Sequence, residues 1–361
     1  MLKALVRVDA SSAIGSGHLI RCTALADVLR ARGGQVTFAC SLLPREAERL
    51  LRDHGHEVVQ LGSCEPGSED DAARTAAAMD RLRAGSRTVV DWLIVDHYRI
   101  AAPWEIRMRP HATRMMVVDD LANRPHDCDV LLDQNYQDDA QSRYDGLIPP
   151  RSFRALGPSY ALLRKEFLEA SQFVREKVGE VGRILVSFGG ADQGNETSKA
   201  VEALSATGLA TVQVDVAIGS LNPHRRDLWN RFAGRENVRL LDGVGNMADL
   251  MKVADLSVGA GGSTHWERCV TKLPSVVIAT AENQLRTCEA LQRAGAIVYL
   301  GWHENVRPDH IGAAVRRLVY DAAARDELSR RAYELMGLNR RNKTGLRILP
   351  ILLAPSAEGA A

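Results

Sequence analysis

Ile14-Gly15-Ser16-Gly17-His18-Leu19-Ile20-Arg21 follows an apolar run, Leu2 to Val8, that reads as a buried strand. It precedes Leu19 to Arg32, where Cys22, Leu25, Ala26 and Leu29 recur at helical spacing. The order is strand, glycine turn, helix, which places His18 at or near a helix N-terminus. Two glycines there let a ligand approach the backbone, and free N–H groups favour negative charge. The turn is not a dinucleotide fingerprint, because the third glycine of that pattern would fall on Ile20. A histidine at such a mouth suits a general base, and it suits a hydrogen bond to the turn backbone as well.

The same alternation continues outward. Gln35 to Cys40 reads as a strand after the Gly33-Gly34 stop, Pro44 to His54 as a helix, and Glu57 to Leu61 as a strand. Asp70 to Arg83 is an alanine-rich helix, and Trp92 to Val95 a buried strand. Strands and helices at this spacing build a parallel sheet covered on both faces, with ligands beyond the carboxyl ends of its strands. The residues after each strand therefore come under inspection: His18, then Asp96-His97-Tyr98, then Asp119-Asp120 after Met115 to Val118. Asp96 fits a cap as well as a site, and a carboxylate of the Asp119-Asp120 turn can serve only to fix that turn. Alternation turns His97 away if Asp96 and Tyr98 face the site. His54 and His56 lack further metal ligands nearby and read as a surface turn.

From Leu147 the periodicity breaks at Ile148-Pro149-Pro150 and Gly157-Pro158, and a charged helical stretch, Tyr160 to Lys177, leads to a second beginning at Arg183. Ile184 to Phe188 runs straight into Gly189-Gly190-Ala191-Asp192-Gln193-Gly194, and a helix starts at Glu196. The opening of the chain is thus repeated, with glycines that fit a tight turn or an anionic ligand. Strands follow at Val212 to Ala217 and Val238 to Leu241. Then Ala254 to Gly259 empties into Ala260-Gly261-Gly262-Ser263-Thr264, which opens another helix and suits a diphosphate without a metal ion. Glu267 completes T-x-x-E with Thr264, a capping box, and can equally hold two ribose hydroxyls. Glu282-Asn283-Gln284 stands after the strand Ser275 to Ala279, Ala296 to Leu300 is a last strand, and helices fill Pro308 to Leu338. The expected organisation is two Rossmann-like α/β domains facing a cleft: residues 1–156, a linker helix region at 157–182, a second domain at 183–346, and a tail at 347–361.

At 361 residues the chain exceeds one comfortable core, which agrees with two domains. A formal net charge of +1 argues against nucleic acid or a membrane surface as the main partner. Six cysteines without a C-x-x-C pair exclude the usual zinc spacing and point to reduced thiols. The first strand begins almost at Met1, and no apolar run is long enough to span a bilayer; a cytoplasmic protein is expected.

Six ordered blocks resemble the UDP-sugar hydrolase family of pseudaminic acid biosynthesis, a nonulosonic acid used in flagellin glycosylation. They are Asp9 to Arg21, Val95 to Tyr98, Val118 to Asn135, Gly157 to Phe167, Val186 to Asn195 and Gly259 to Cys269, with Glu282-Asn283-Gln284 completing the set. The resemblance covers roughly residues 2 to 340. It implies a GT-B fold and hydrolysis of UDP-2,4-diacetamido-2,4,6-trideoxy-β-L-altropyranose to UDP and free sugar, with inversion. His18 matches the family's catalytic histidine and Tyr98 its active-site tyrosine. Gly15, Gly17, Arg21, Asp96, Tyr98 and Asp119 are then expected on the sugar side. Gly189, Gly190, Gly261, Gly262, Ser263, Thr264, Glu267, Glu282, Asn283 and Gln284 are expected on the UDP side. Asp96 or Asp119 would orient His18. No metal or other cofactor is expected, so EDTA should leave activity untouched; acidification should lower it, because the base must be neutral imidazole. A UDP-sugar transferase and a non-catalytic nucleotide-sugar binding protein are the alternatives.

Overall fold

The computed structural model describes residues 1–11, 14–82, 90–170, 179–209, 211–337 and 347–354. Its first sheet has seven parallel strands: β1 (Lys3–Val8), β2 (Gln35–Cys40), β3 (Glu57–Gln60), β4 (Val90–Asp96), β5 (Ala112–Val118), β6 (Val130–Asp133) and β7 (Phe153–Leu156). They lie in the order β3-β2-β1-β4-β5-β6-β7. The second sheet has six: β8 (Arg183–Ser187), β9 (Gln213–Ile218), β10 (Val238–Asp242), β11 (Leu256–Ala260), β12 (Ser275–Ala279) and β13 (Val298–Trp302), ordered β10-β9-β8-β11-β12-β13. Each order reverses direction once, between β1 and β4 and between β8 and β11. Those switch points leave a crevice beyond the strand ends.

Burial follows the pleat. Along β1, Ala4, Val6 and Val8 enter a core with Leu19, Leu25 and Leu29 of the helix Gly17–Ala31, while Leu5 joins Leu93 and Met115 on the other face. In the second sheet Ile184 and Val186 pack one way and Leu185 the other. Both sheets are therefore sandwiched between helical layers, as their near-continuous apolar strands predict. Among the described residues no helix is long and apolar enough to cross a membrane.

Three details depart from the sequence reading. The strands β6 and β7 escape it, because four residues each are too few to show a period beside the polar turns around them. The connecting stretch is not a free linker: Ala161, Leu163, Phe167 and Ala170 pack into the second sheet's core beside Trp266 and Met251. Of the helix expected from Tyr160 to Lys177, Lys165–Ala170 is present and 171–178 lie outside the described residues. The stretch 347–361 is not wholly a tail either. The helix Leu349–Leu353 returns to the first sheet, burying Ile348, Leu349 and Leu352 and taking a hydrogen bond from Trp92 Nε1 on Leu352 O at 2.9 Å. Residues 355–361, and Arg83 and Leu338 at the ends of expected helices, lie outside the described residues.

Candidate functional site

The helix Gly17–Ala31 begins at the end of β1, with Gly15 at φ +82° turning the chain into it. Its first turns set His18, Arg21 and Cys22 on one face, at i, i+3 and i+4. That face meets Asp96 at the end of β4, the neighbour of β1 across the switch point. Asp96 Oδ1 lies 2.6 Å from His18 Nδ1 and 2.6 Å from Arg21 Nη2, Oδ2 accepts from Arg21 Nε at 2.6 Å, and Cys22 Sγ lies 3.3 Å from Oδ2. Burial alone would favour the neutral acid. The Arg21 and His18 charges and their hydrogen bonds overcome it and hold the Asp96 carboxyl well below the usual carboxylate range. An ionised Asp96 accepts a hydrogen bond from the Nδ1–H of His18, leaving Nε2 as the acceptor. Asp96 is thus the carboxylate on the ring, and Asp119 is not.

Tyr98, two residues on, meets the His18 ring edge-on with centroids 4.6 Å apart. Its hydroxyl donates to Asp120 Oδ1 at 2.8 Å and accepts from Asn283 Nδ2 of the second lobe at 2.8 Å. Burial pushes the phenol pKa far up, so it stays a donor. Asp120 also lies 3.3 Å from Arg21 Nη1, closing a ring of His18, Asp96, Arg21, Asp120 and Tyr98.

Two cavities meet between the lobes, and this ring lines the first. One, of about 360 Å³, lies between the lobes and is lined by Gly15, Gly17, His18, Arg21 and Tyr98 on one side and by Gly189, Gly190, Gly262, Ser263, Asn283 and Gln284 on the other. A second, of about 370 Å³, reaches toward the ends of β9 and β10, where Ser220, Val244, Arg164 and Glu267 line it. Ser16, Ile20, Gly189, Gly190, Ser263 and Thr264 border both. Approach across this waist is close: a side chain at Gly190 would press on the Ser16 hydroxyl and force it to move.

Several expected site residues sit elsewhere. Asp119 is wholly buried and does not line the cavity; Arg124 at 2.7 Å, the Ala122 N–H at 2.8 Å and Tyr144 at 3.2 Å occupy its carboxylate. Asp120 takes the place facing the cleft. Glu282 is exposed outside both cavities. The Gly261 N–H is already spent on Ile278 O at 3.1 Å and Gln284 Oε1 at 3.2 Å, so this residue shapes the loop rather than donating from it. The capping-box reading of Glu267 fails: Ser263, not Thr264, is the cap, no side chain bonds this helix end, and Arg164 grips Glu267 Oε1 at 2.8 and 3.0 Å. Burial raises the Glu267 pKa, with Arg164 opposing. His97 turns away as alternation requires, accepting from the Arg99 N–H at 3.1 Å.

Residues the sequence reading passed over include Asn135 and His303, both lining the first cavity, and Arg164. Arg164 is a charge ending the apolar run Ala161 to Leu163, an interruption that could have flagged it, whereas Asn135 lies two residues past Asp133, which ends the run Val130 to Leu132, and carries no such signal. Among the described residues, no group of three or more His, Cys, Asp or Glu is arranged to hold a metal ion.

No family model matches the chain. It is 28% identical over 294 residues to the UDP-2,4-diacetamido-2,4,6-trideoxy-β-L-altropyranose hydrolase of Campylobacter jejuni, covering 81% of this chain and 97% of that one. The two are distant homologues. In structure it is similar to MurG of Acinetobacter baumannii, with TM-score 0.63 and 14% identity over 98% of this chain and 99% of that one. It is also similar to UGT2 of Phytolacca americana complexed with UDP-2-fluoro-glucose, with TM-score 0.66 and 12% identity over 97% and 98%. The fold is GT-B. The expected architecture is therefore correct.

Proposed function

We propose that this protein hydrolyses a UDP-linked diacetamido sugar, UDP-2,4-diacetamido-2,4,6-trideoxy-β-L-altropyranose by the resemblance, releasing UDP and the free sugar with inversion. One observation carries the reading: an Asp96–His18 pair on the first lobe opens into the same cavity as the glycine turns of the second. The nucleoside fits the cavity at Glu267, whose carboxylate suits the paired ribose hydroxyls; Gly189, Gly190, Ser263 and Thr264 at the waist, with Gly262 beside them, suit the diphosphate; the sugar fits beside Tyr98 and Asn283.

In the reaction a water oxygen attacks the anomeric carbon from the face opposite UDP, and the carbon–oxygen bond to the β-phosphate breaks with its electron pair leaving on UDP. His18 Nε2 takes the water proton, and Asp96 stabilises the resulting imidazolium. Backbone donors at the glycine turns meet the growing charge on the diphosphate.

The distant relative supports hydrolysis, while the transferases among similar folds keep a second reading, transfer to an acceptor alcohol. Incubation with UDP-linked diacetamido sugars, followed by NMR, separates them. UDP and inverted free sugar should form without any acceptor, and His18→Asn should abolish turnover yet leave UDP binding intact. Release that requires an added acceptor, or near-normal turnover by folded H18N, overturns the proposal.

A further inference from the structure

We propose that Arg268 is a built-in countercharge for the diphosphate, a buried guanidinium placed behind the β11 glycine turn with no acid of its own. The inference rests on the nucleotide reading above and deepens it. Arg268 is 3% exposed. Its Nη2 donates to Ala260 O at 2.8 Å and lies 3.0 Å from His265 Nδ1, and its Nη1 abuts Gly259, where any side chain would strike it. Its Nε has no partner. Among the described residues no carboxylate comes within ion-pair distance of it. The neighbouring acid, Glu267, diverges by about 100° around the helix and is engaged with Arg164, as is Glu166.

An isolated buried cation is costly, and removing such a charge commonly stabilises a protein. The other group touching it offers no compensation: His265 is fully buried, and that burial, together with the Arg268 charge, keeps its imidazole neutral. What Arg268 does face is the chain at Gly259 and Ala260, and Ala260 lines the cavity immediately before Gly261, Gly262 and Ser263. The positive charge is therefore carried to the underside of the waist without contacting the ligand. An anion arriving above it supplies the missing partner, through a medium too dry to screen the attraction.

The experiment compares UDP, inorganic pyrophosphate and uridine by calorimetry on wild type, Arg268→Met and Arg268→Gln. A unit charge about 8 Å away at an effective dielectric near 20 corresponds to roughly 30-fold in affinity, so both variants should lose about that factor for UDP and keep uridine affinity within twofold. The ligand-free Tm of R268M should hold or rise. R268Q retains an amide donor for Ala260 O, so it repeats the test without the charge should R268M not fold. Equal losses for UDP and uridine would mean a structural role and overturn the inference, as would UDP affinity unchanged in both variants. Wild type that binds neither UDP nor pyrophosphate overturns the nucleotide reading together with this one, whereas wild type that binds UDP no better than the variants overturns this one alone.

Discussion

Replacing Asp96 by Asn tests the centre of the site with almost no change in shape. The carboxylate accepts from His18 Nδ1, twice from Arg21 and from Cys22. An amide offers one acceptor atom and one donor group. With its oxygen kept on Arg21 Nε, its NH2 faces both Arg21 Nη2 and His18 Nδ1; the ring nitrogen must then accept, the ring proton moves to Nε2, and the imidazole can no longer take a proton from water. In enzymes where a carboxylate fixes a histidine tautomer, this exchange costs roughly 10⁴-fold in kcat, and a similar loss is expected here. Arg21, only 6% exposed in its side chain, keeps Asp120 at 3.3 Å. Stability should therefore fall by about 3 kcal/mol, near the lower end of the range for breaking a buried pair. Urea unfolding measures the second effect and UDP release the first, with calorimetry confirming that UDP affinity holds. A folded D96N within tenfold of wild-type turnover would refute the tautomer argument.

Tyr98→Phe removes one hydrogen bond within the first lobe and one to Asn283 across the cleft, so KM should rise a few-fold with little change in kcat, about 1 kcal/mol of closure energy; an unchanged KM would deny the cross-lobe bond a role. Glu267→Gln should weaken UDP by about tenfold or more and erase any preference for UDP over 2′-deoxy-UDP, read by competition binding. Leu352→Ala, at a side chain 1% exposed on the first sheet, should cost about 2–4 kcal/mol in urea unfolding without moving UDP affinity. Asp9, Asp96 and Asp119 all have carboxyl pKa values depressed in the folded state by arginine, histidine or backbone partners. Their stabilisation is complete above the ordinary carboxylate range near 4 and drains away as pH falls below it; burial pushes the Asp133 carboxyl up to about 7, which opposes them between about pH 7 and pH 4, so stability should drop as pH falls below about 4, and less steeply in D96N.

What the sequence disclosed and what it withheld divide along physical lines. The strand–glycine–helix units at Leu2 to Arg32 and Ile184 to Glu196 are legible because buried parallel strands are continuous apolar runs and their turns need glycine. His18 and Asp96 each stand out at a strand end, but their pairing depends on β1 and β4 being neighbours, a fact of topology 78 residues apart in sequence. Asp119 and Asp120 are indistinguishable as letters; only the register of β5 decides that one points into the core and the other toward the cleft. Glu267 stayed open between two readings for a related reason. T-x-x-E satisfies the local rule for a cap, yet Arg164, from a segment 103 residues earlier, takes the carboxylate first.

The helix Gly17–Ala31 ties these parts into one device. Its His18, Arg21 and Cys22 face Asp96, while Ser16 and Ile20, four residues apart and so also on a common face, border both cavities at the waist. A ligand spanning the waist presses on the same rigid element that carries the imidazole. The Gly190 backbone sits against Ser16 from the other lobe, and Asn283 holds Tyr98, whose edge packs on the His18 ring. Separation of the lobes would break the Asn283 bond and draw Gly190 away from Ser16, yet leave the Asp96–His18 pair whole, because both of its members belong to the first sheet and its helix. On the proposed function the base is therefore built within one lobe, and the other lobe adds the cradle for the leaving group.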